Sequence, residues 1–115
     1  MRVKYRISFY VPETHAEAVK NALFEAGAGR YDNYEQCSWE TRGIGQFRAK
    51  DAATPFLGSV GKLERVEELR IEMVCSEECL LPALRALVNS HPYEEPAYDA
   101  VSIISLEELE EGVDA

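Results

Sequence analysis

Histidine is nearly missing from this chain: His15 and His91 are the two in 115 residues. A dedicated metal centre needs three or four converging ligands, so one chain cannot build a histidine-rich one. No run of roughly 18 apolar residues occurs, so no segment reads as a membrane-spanning helix. The opening stretch MRVKYRISFYV alternates polar and apolar residues and lacks the continuous apolar region of a signal peptide, so a cytoplasmic location is expected. Positive charge is short, with 12 Lys and Arg against 21 Asp and Glu and a net charge of −9. A chain of that sign repels phosphate backbones, which argues against nucleic acid as a partner. The three cysteines, Cys37, Cys75 and Cys79, are an odd number and fit a reducing compartment better than a disulfide scaffold.

What is present suffices for one modest core. The chain is 46% hydrophobic, which excludes a disordered polymer, and its length fits one domain. From Arg2 to Val11 the alternation is strict: Val3, Tyr5, Ile7, Phe9 and Val11 share one face, which predicts a half-buried strand ended by Pro12. Thr14 and Glu17 have capping-box spacing, and Val19, Ala22, Leu23 and Ala26 make the apolar stripe of a helix that Gly27 stops. Gln36 to Arg42 predicts a second strand, with a bulge or bend at Gly43 and Gly45. Lys50 to Lys62 reads as a long loop, and Glu64 to Cys75 as a third strand with Leu69, Ile71, Met73 and Cys75 inward.

Ser76 can cap a second helix, buried through Leu80, Leu84, Leu87 and Val88; Pro82 implies a later start or a kink. Tyr98 to Leu106 predicts a fourth strand. The order βαββαβ predicts an α+β, ferredoxin-like fold: a four-stranded antiparallel sheet with both helices on one face. The other sheet face is left bare, as if for another subunit. Residues 1–106 are expected to form this single domain. Glu107, Glu108, Glu110, Glu111 and Asp114 mark 107–115 as an acidic, solvated and frayed tail.

Chemistry concentrates in HPYEEPAYD, from His91 to Asp99. His91, Glu94, Glu95 and Asp99 are plausible metal-ligand types. The same stretch also reads as a rigid turn fixed by Pro92 and Pro96, with Tyr93 and Tyr98 packed and the acids solvated. In GAGRYDNYEQCSW, Gly27 and Gly29 suit a helix end better than a phosphate cradle, because a dinucleotide fingerprint follows a strand. Tyr31 and Tyr34 suit a pocket or the core equally. Cys75 lies on a core face, which leaves Cys37 as the better-placed thiol for ligation or reactivity. In ERVEELRIE, Arg70 and Glu72 point away from Ile71, where a subunit interface would bury and pair them.

HPYEEPAYD, GAGRYDNYEQCSWETRGIGQFR, Pro55-Phe56-x-Gly58-x-x-Gly61 and ERVEELRIE together resemble the inserted domain of the NGG1-interacting-factor (Nif-three-like) dinuclear-metal-centre proteins. The resemblance covers nearly the whole chain, which looks like a free-standing version of that insert. In that family the two metals sit in a larger domain for which this chain has no room, so the dinuclear centre is not carried over. The insert is similar in fold to the divalent-cation-tolerance CutA proteins and the PII proteins, and His91 to Pro96 resembles the CutA motif. Both are homotrimers with ligands or metals at the clefts between subunits.

The resemblance therefore implies a small, non-enzymatic regulatory or homeostatic protein, a homotrimer binding a small ligand or divalent metal between subunits. The ligand residues would be Tyr93, Glu94, Glu95, Glu72 and Arg70, and the metal ligands His91, Cys37 and Glu94. The alternative is an interaction module that docks on a protein partner, such as a separately encoded metal-centre domain. A remoter one is a hydrolase, with Cys37 as nucleophile and His91 as base or with metal-assisted hydrolysis by His91 and the acids; no oxyanion hole or orienting third residue is evident.

Overall fold

Strict alternation shows in β1 (Val3–Val11), one of the two inner strands of the sheet. The computed structural model describes residues 2–113, and Asp114 of the acidic run lies outside them. After β1 come α1 (Glu13–Glu25), β2 (Trp39–Arg48), β3 (Leu63–Ser76), α2 (Glu77–Ser90), β4 (Tyr98–Ser102) and α3 (Leu106–Val113). The sheet is antiparallel throughout, in the order β2-β3-β1-β4. Ile7, Phe9 and Val11 of β1 and Leu69, Ile71, Met73 and Cys75 of β3 face one way. They meet Ala16, Val19 and Leu23 of α1 and Ala83 and Leu87 of α2 to form a single core. The ferredoxin-like α+β arrangement is therefore present, with α1 and α2 on the same sheet face.

Several local expectations differ in detail. Helix α1 starts at Glu13 with Pro12 as its cap residue and no side-chain cap bond. Thr14 Oγ1 instead lies 2.8 Å from His15 Nδ1. Strand β2 runs unbroken through Gly43 and Gly45, in register with β3 from Trp39↔Glu72 to Arg48↔Leu63. No bulge forms, and neither glycine takes a positive φ. Helix α2 begins at Glu77 and carries Pro82 inside it. Ser76 occupies the cap position, but its hydroxyl is buried without a partner. Val88, expected inside, is exposed.

Strand β4 ends at Ser102, short of Leu106, and the acidic stretch expected to fray is helical as α3. Arg2 reaches Glu107 and Glu111 of this helix, tying it to the start of β1. Its exposed Leu106 and Leu109, spaced three apart among acids, supply the amphipathic pattern that charge alone concealed.

The fold is elongated, at 57 × 24 × 24 Å. Its radius of gyration of 16.4 Å exceeds the roughly 13 Å of a compact chain of this length. The far half of the β2–β3 ribbon accounts for this: it leaves the helices behind, and Ile44 on it is 72% exposed. The sheet face opposite the helices carries Trp39 and Thr41 of β2, Glu68, Arg70 and Glu72 of β3, and Arg6, Ser8 and Tyr10 of β1. None of the described residues covers it, and Trp39 on it is 70% exposed. Among the described residues, no helix is long and apolar enough to cross a membrane.

Candidate functional site

The two prolines do hold HPYEEP out of helix. His91 ends α2 in an extended conformation, as expected for a residue preceding Pro92. The turn then crosses the end of the sheet where β1 finishes.

His91 is 7% exposed and spent on internal bonds. Its Nε2 lies 2.6 Å from the Tyr10 carbonyl oxygen, and its Nδ1 accepts the Tyr93 N–H at 3.1 Å. This pattern requires the neutral ring with its proton on Nε2. Burial pushes the His91 pKa down; the Tyr10 carbonyl and Glu68 only partly oppose this. His91 thus fastens the turn to β1.

Tyr93, next in line, donates its hydroxyl to Glu68 Oε2 at 2.8 Å. Burial raises the Tyr93 pKa, and the Glu68 carboxylate adds to the effect, so the hydroxyl keeps its proton. Glu68 reaches it by lying across Gly45, where a Cβ would collide with the carboxylate. That close approach, rather than a bulge, is what the second glycine of β2 permits.

Glu94 accepts the backbone N–H of Thr54 at 2.5 Å and so pins the loop between β2 and β3. Phe56 of the same loop lies between His15 and Tyr93, with ring centroids 5.3 Å and 6.2 Å away. Turn, loop and ribbon together enclose a cleft of about 780 Å³. Tyr10, Gly45, Phe47 and Glu68 line it and belong by strand parity to the uncovered sheet face. The cleft therefore opens beside the bare face.

The structure brings Tyr93, Glu94 and Glu95 together in this cleft. Arg70 and Glu72 lie further along β3 on the bare face. Arg70 Nε is 3.1 Å from Glu72 and its guanidinium sits 6.0 Å from the Tyr10 ring. Arg6 approaches Glu72 from β1 at 3.9 Å. This is a half-exposed ladder rather than a buried pair.

Cys37 lies elsewhere. Its N–H bonds the Gly29 carbonyl, and the Gly29 N–H bonds the carbonyl of Val74, near the C-terminal end of β3 and six residues beyond Glu68. Six residues of strand put Glu68 and Val74 roughly 20 Å apart. Within one chain, Cys37 meets neither His91 nor Glu94, so a thiol–imidazole pair is not made. Among the described residues no three His, Cys, Asp or Glu side chains cluster as metal ligands. With both His91 nitrogens engaged, the donor set of a single chain does not fit a metal.

Tyr31 and Tyr34 pair with each other in an exposed turn, away from pocket and core. Burial lifts the Cys75 thiol to about 11, consistent with an inert core position. Sequence reasoning missed Tyr10, Arg48, Lys50, Phe56 and Glu68 as cleft residues. Gly45 was the available signal, because a glycine inside a strand marks a close approach.

The architecture is that of a CutA-type ferredoxin-like domain. CutA from Xylella fastidiosa superposes with a TM-score of 0.67 over 94% of this chain and 91% of that one, at 20% identity, which shows a shared fold. A solved Bacillus cereus protein related to NIF3 superposes with a TM-score of 0.77 at 38% identity, over 90% of this chain and 26% of that one. The Mycobacterium tuberculosis GTP cyclohydrolase 1 type 2 homolog is 48% identical over 95 residues, which are 83% of this chain and 25% of the relative. The chain is thus a relative of one segment of the Nif-three-like proteins, built on the CutA fold. It spans about a quarter of the length of the curated relatives it matches. No family model matches the sequence.

Proposed function

We propose that the chain is a small non-enzymatic binding module, regulatory or homeostatic in role, that assembles as a cytoplasmic homotrimer and holds a small ligand where subunits meet. One observation carries this: a cleft of about 780 Å³ at the HPYEEP turn opens onto a sheet face that the described residues leave uncovered. That volume lies in the usual range of small-molecule sites. Tyr93, Glu94 and Glu95 are the ligand residues within a chain, and Arg70 and Glu72 extend the site across the subunit contact. In this view residues 1–106 are the working unit and α3 is an appendage.

The names of the CutA neighbours speak of divalent cation tolerance, which makes a metal the competing ligand. A metal site would have to gather Cys37 and Glu94 from different copies, because one chain keeps them apart.

The test pairs light scattering with a thermal-shift screen of metal-stripped protein against metals, nucleotides and other small molecules. The expected outcome is a particle of three 12.9 kDa chains whose melting temperature rises with at least one compound. A monomer that responds to nothing sinks the proposal.

The relatives' greater length favours a second reading, in which the same face docks on a protein partner such as a separate metal-centre domain. It predicts a trimer that no small molecule stabilises and that the remaining part of such a relative does.

A further inference from the structure

Helix α3 is fastened the wrong way round for an amphipathic helix. Ser105 caps it by accepting the Glu108 N–H at 3.2 Å, and Arg2 holds Glu107 and Glu111. At about 100° per residue, those two glutamates lie about 150° around the helix from the midline of Leu106 and Leu109. The polar side therefore meets the start of β1 and the apolar side faces out. Leu106 is 71% exposed and Leu109 59%, and Ile104, just before the helix, is 73% exposed. A helix of this pattern normally turns its apolar stripe to its own core, yet α3 contributes no core residue.

The place of α3 in the fold says what could cover it. The Ile103 N–H bonds the Lys4 carbonyl at 2.9 Å, so the beginning of β1 and the chain after β4 lie side by side. The cleft sits at the other end of β1, where six residues separate Tyr10 from Lys4 by roughly 20 Å. The curated relatives carry about three quarters of their length outside the matched segment. Whichever end of the segment that extra chain continues from, it leaves the domain beside α3. Residues 104–113 hold four acids and no basic residue, so the surface they suit is apolar with a basic rim.

We infer that α3 is a docking element whose Ile104, Leu106 and Leu109 seat on a folded unit homologous to the remainder of those relatives. The mode is an amphipathic helix laid in an apolar groove. The Ser105 cap and Arg2 form the helix beforehand, so little order is lost on binding. The surface is neither the cleft nor the bare sheet face, and the inference rests on neither reading above.

The probe is the Mycobacterium tuberculosis relative with its 95 matched residues replaced by a short glycine–serine bridge, its fold checked by circular dichroism. Titration calorimetry with the full chain should show binding that Leu106→Ser with Leu109→Ser weakens about tenfold or more. Raising salt from about 0.05 to 0.5 M should weaken it as well. Both leucines are exposed, so unchanged melting of the double variant checks that it folds. No binding to the folded probe, or full binding by the double variant, overturns the inference. Binding that is lost instead with Trp39→Ser belongs to the bare face and overturns it too.

If the bridged probe does not fold, hydrogen exchange decides, on the same relative carrying this whole chain in place of its own segment. There the α3 amides should exchange about tenfold more slowly than in the chain alone, and the double variant should abolish the difference. Equal exchange in the two settings overturns the inference.

Discussion

Replacing Gly45 by alanine sets a methyl group on top of the Glu68 carboxylate, whereas the same change at Gly43 meets nothing within 4 Å. Both glycines have φ values open to any residue, so the two substitutions differ only in what the new carbon touches. At Gly43 the loss of backbone freedom in the unfolded chain should stabilise by about 0.5 kcal/mol. At Gly45 the same gain applies, but Glu68 must swing away and release the Tyr93 hydroxyl. A hydrogen bond to a charged group contributes about 1.5–3 kcal/mol, and this half-buried one belongs near the lower end. The net expectation is about 1 kcal/mol of destabilisation for Gly45→Ala, against slight stabilisation for Gly43→Ala.

Urea unfolding at fixed protomer concentration measures both. Tyr93→Phe supplies the control. In that background Gly45→Ala should behave like Gly43→Ala, giving a coupling of about 1.5 kcal/mol between positions 45 and 93. A coupling below about 0.3 kcal/mol, or equal effects of the two glycine changes, would falsify the view that Gly45 exists to let Glu68 reach Tyr93.

His91→Ala should cost about 2–4 kcal/mol, because it strands the Tyr10 carbonyl and the Tyr93 N–H and leaves a void; denaturant midpoints will show it. Burial holds the His91 pKa below the usual range, so the unfolded chain takes up the proton first. Its stabilising effect is therefore complete above about pH 6.5 and is lost as pH falls, by at most about 1.4 kcal/mol per pH unit. His91→Gln keeps a donor and an acceptor and should flatten that slope. Cys75, with a thiol raised to about 11, should resist iodoacetamide in the native protein at pH 8 and react in urea; mass spectrometry distinguishes the two states. Deleting residues 104–115 should lower stability by less than about 1 kcal/mol, since α3 is tied to the start of β1 by exposed Arg2 ion pairs; thermal unfolding tests it.

Much of the fold is legible in the sequence because period and punctuation agree. The alternation from Val3 to Val11 sits on a sheet face that is buried, and Gly27 ends its helix region with φ 108°. Capping was less legible. Thr14–Glu17 has the right spacing, but Pro12 starts α1 earlier and His15 competes for the Thr14 hydroxyl. Helix α3 was hidden because acidic charge dominates a stretch whose apolar positions are Leu106, Leu109 and Val113.

The candidate site was legible only along the chain. Tyr93, Glu94 and Glu95 are neighbours in sequence and in the cleft. Their partners Glu68, Thr54 and Phe56 arrive from strand and loop, where no local pattern announces a contact. His91 has a ligand's chemistry but no lone pair to spare, and that depends on a carbonyl of Tyr10 far away in sequence.

The inner position of β1 also sets the order of events during synthesis. Phe9 is paired with Ile71 on one side and with Tyr98 on the other, so the first strand made waits for the last. The β2–β3 ribbon needs only its own loop to close and can form early. Until β4 emerges, a growing chain presents β1 with one open edge, the state in which chaperones act and aggregation competes. A ribosome stalled before Tyr98 would therefore hold a chain with its ribbon made and its sheet unfinished.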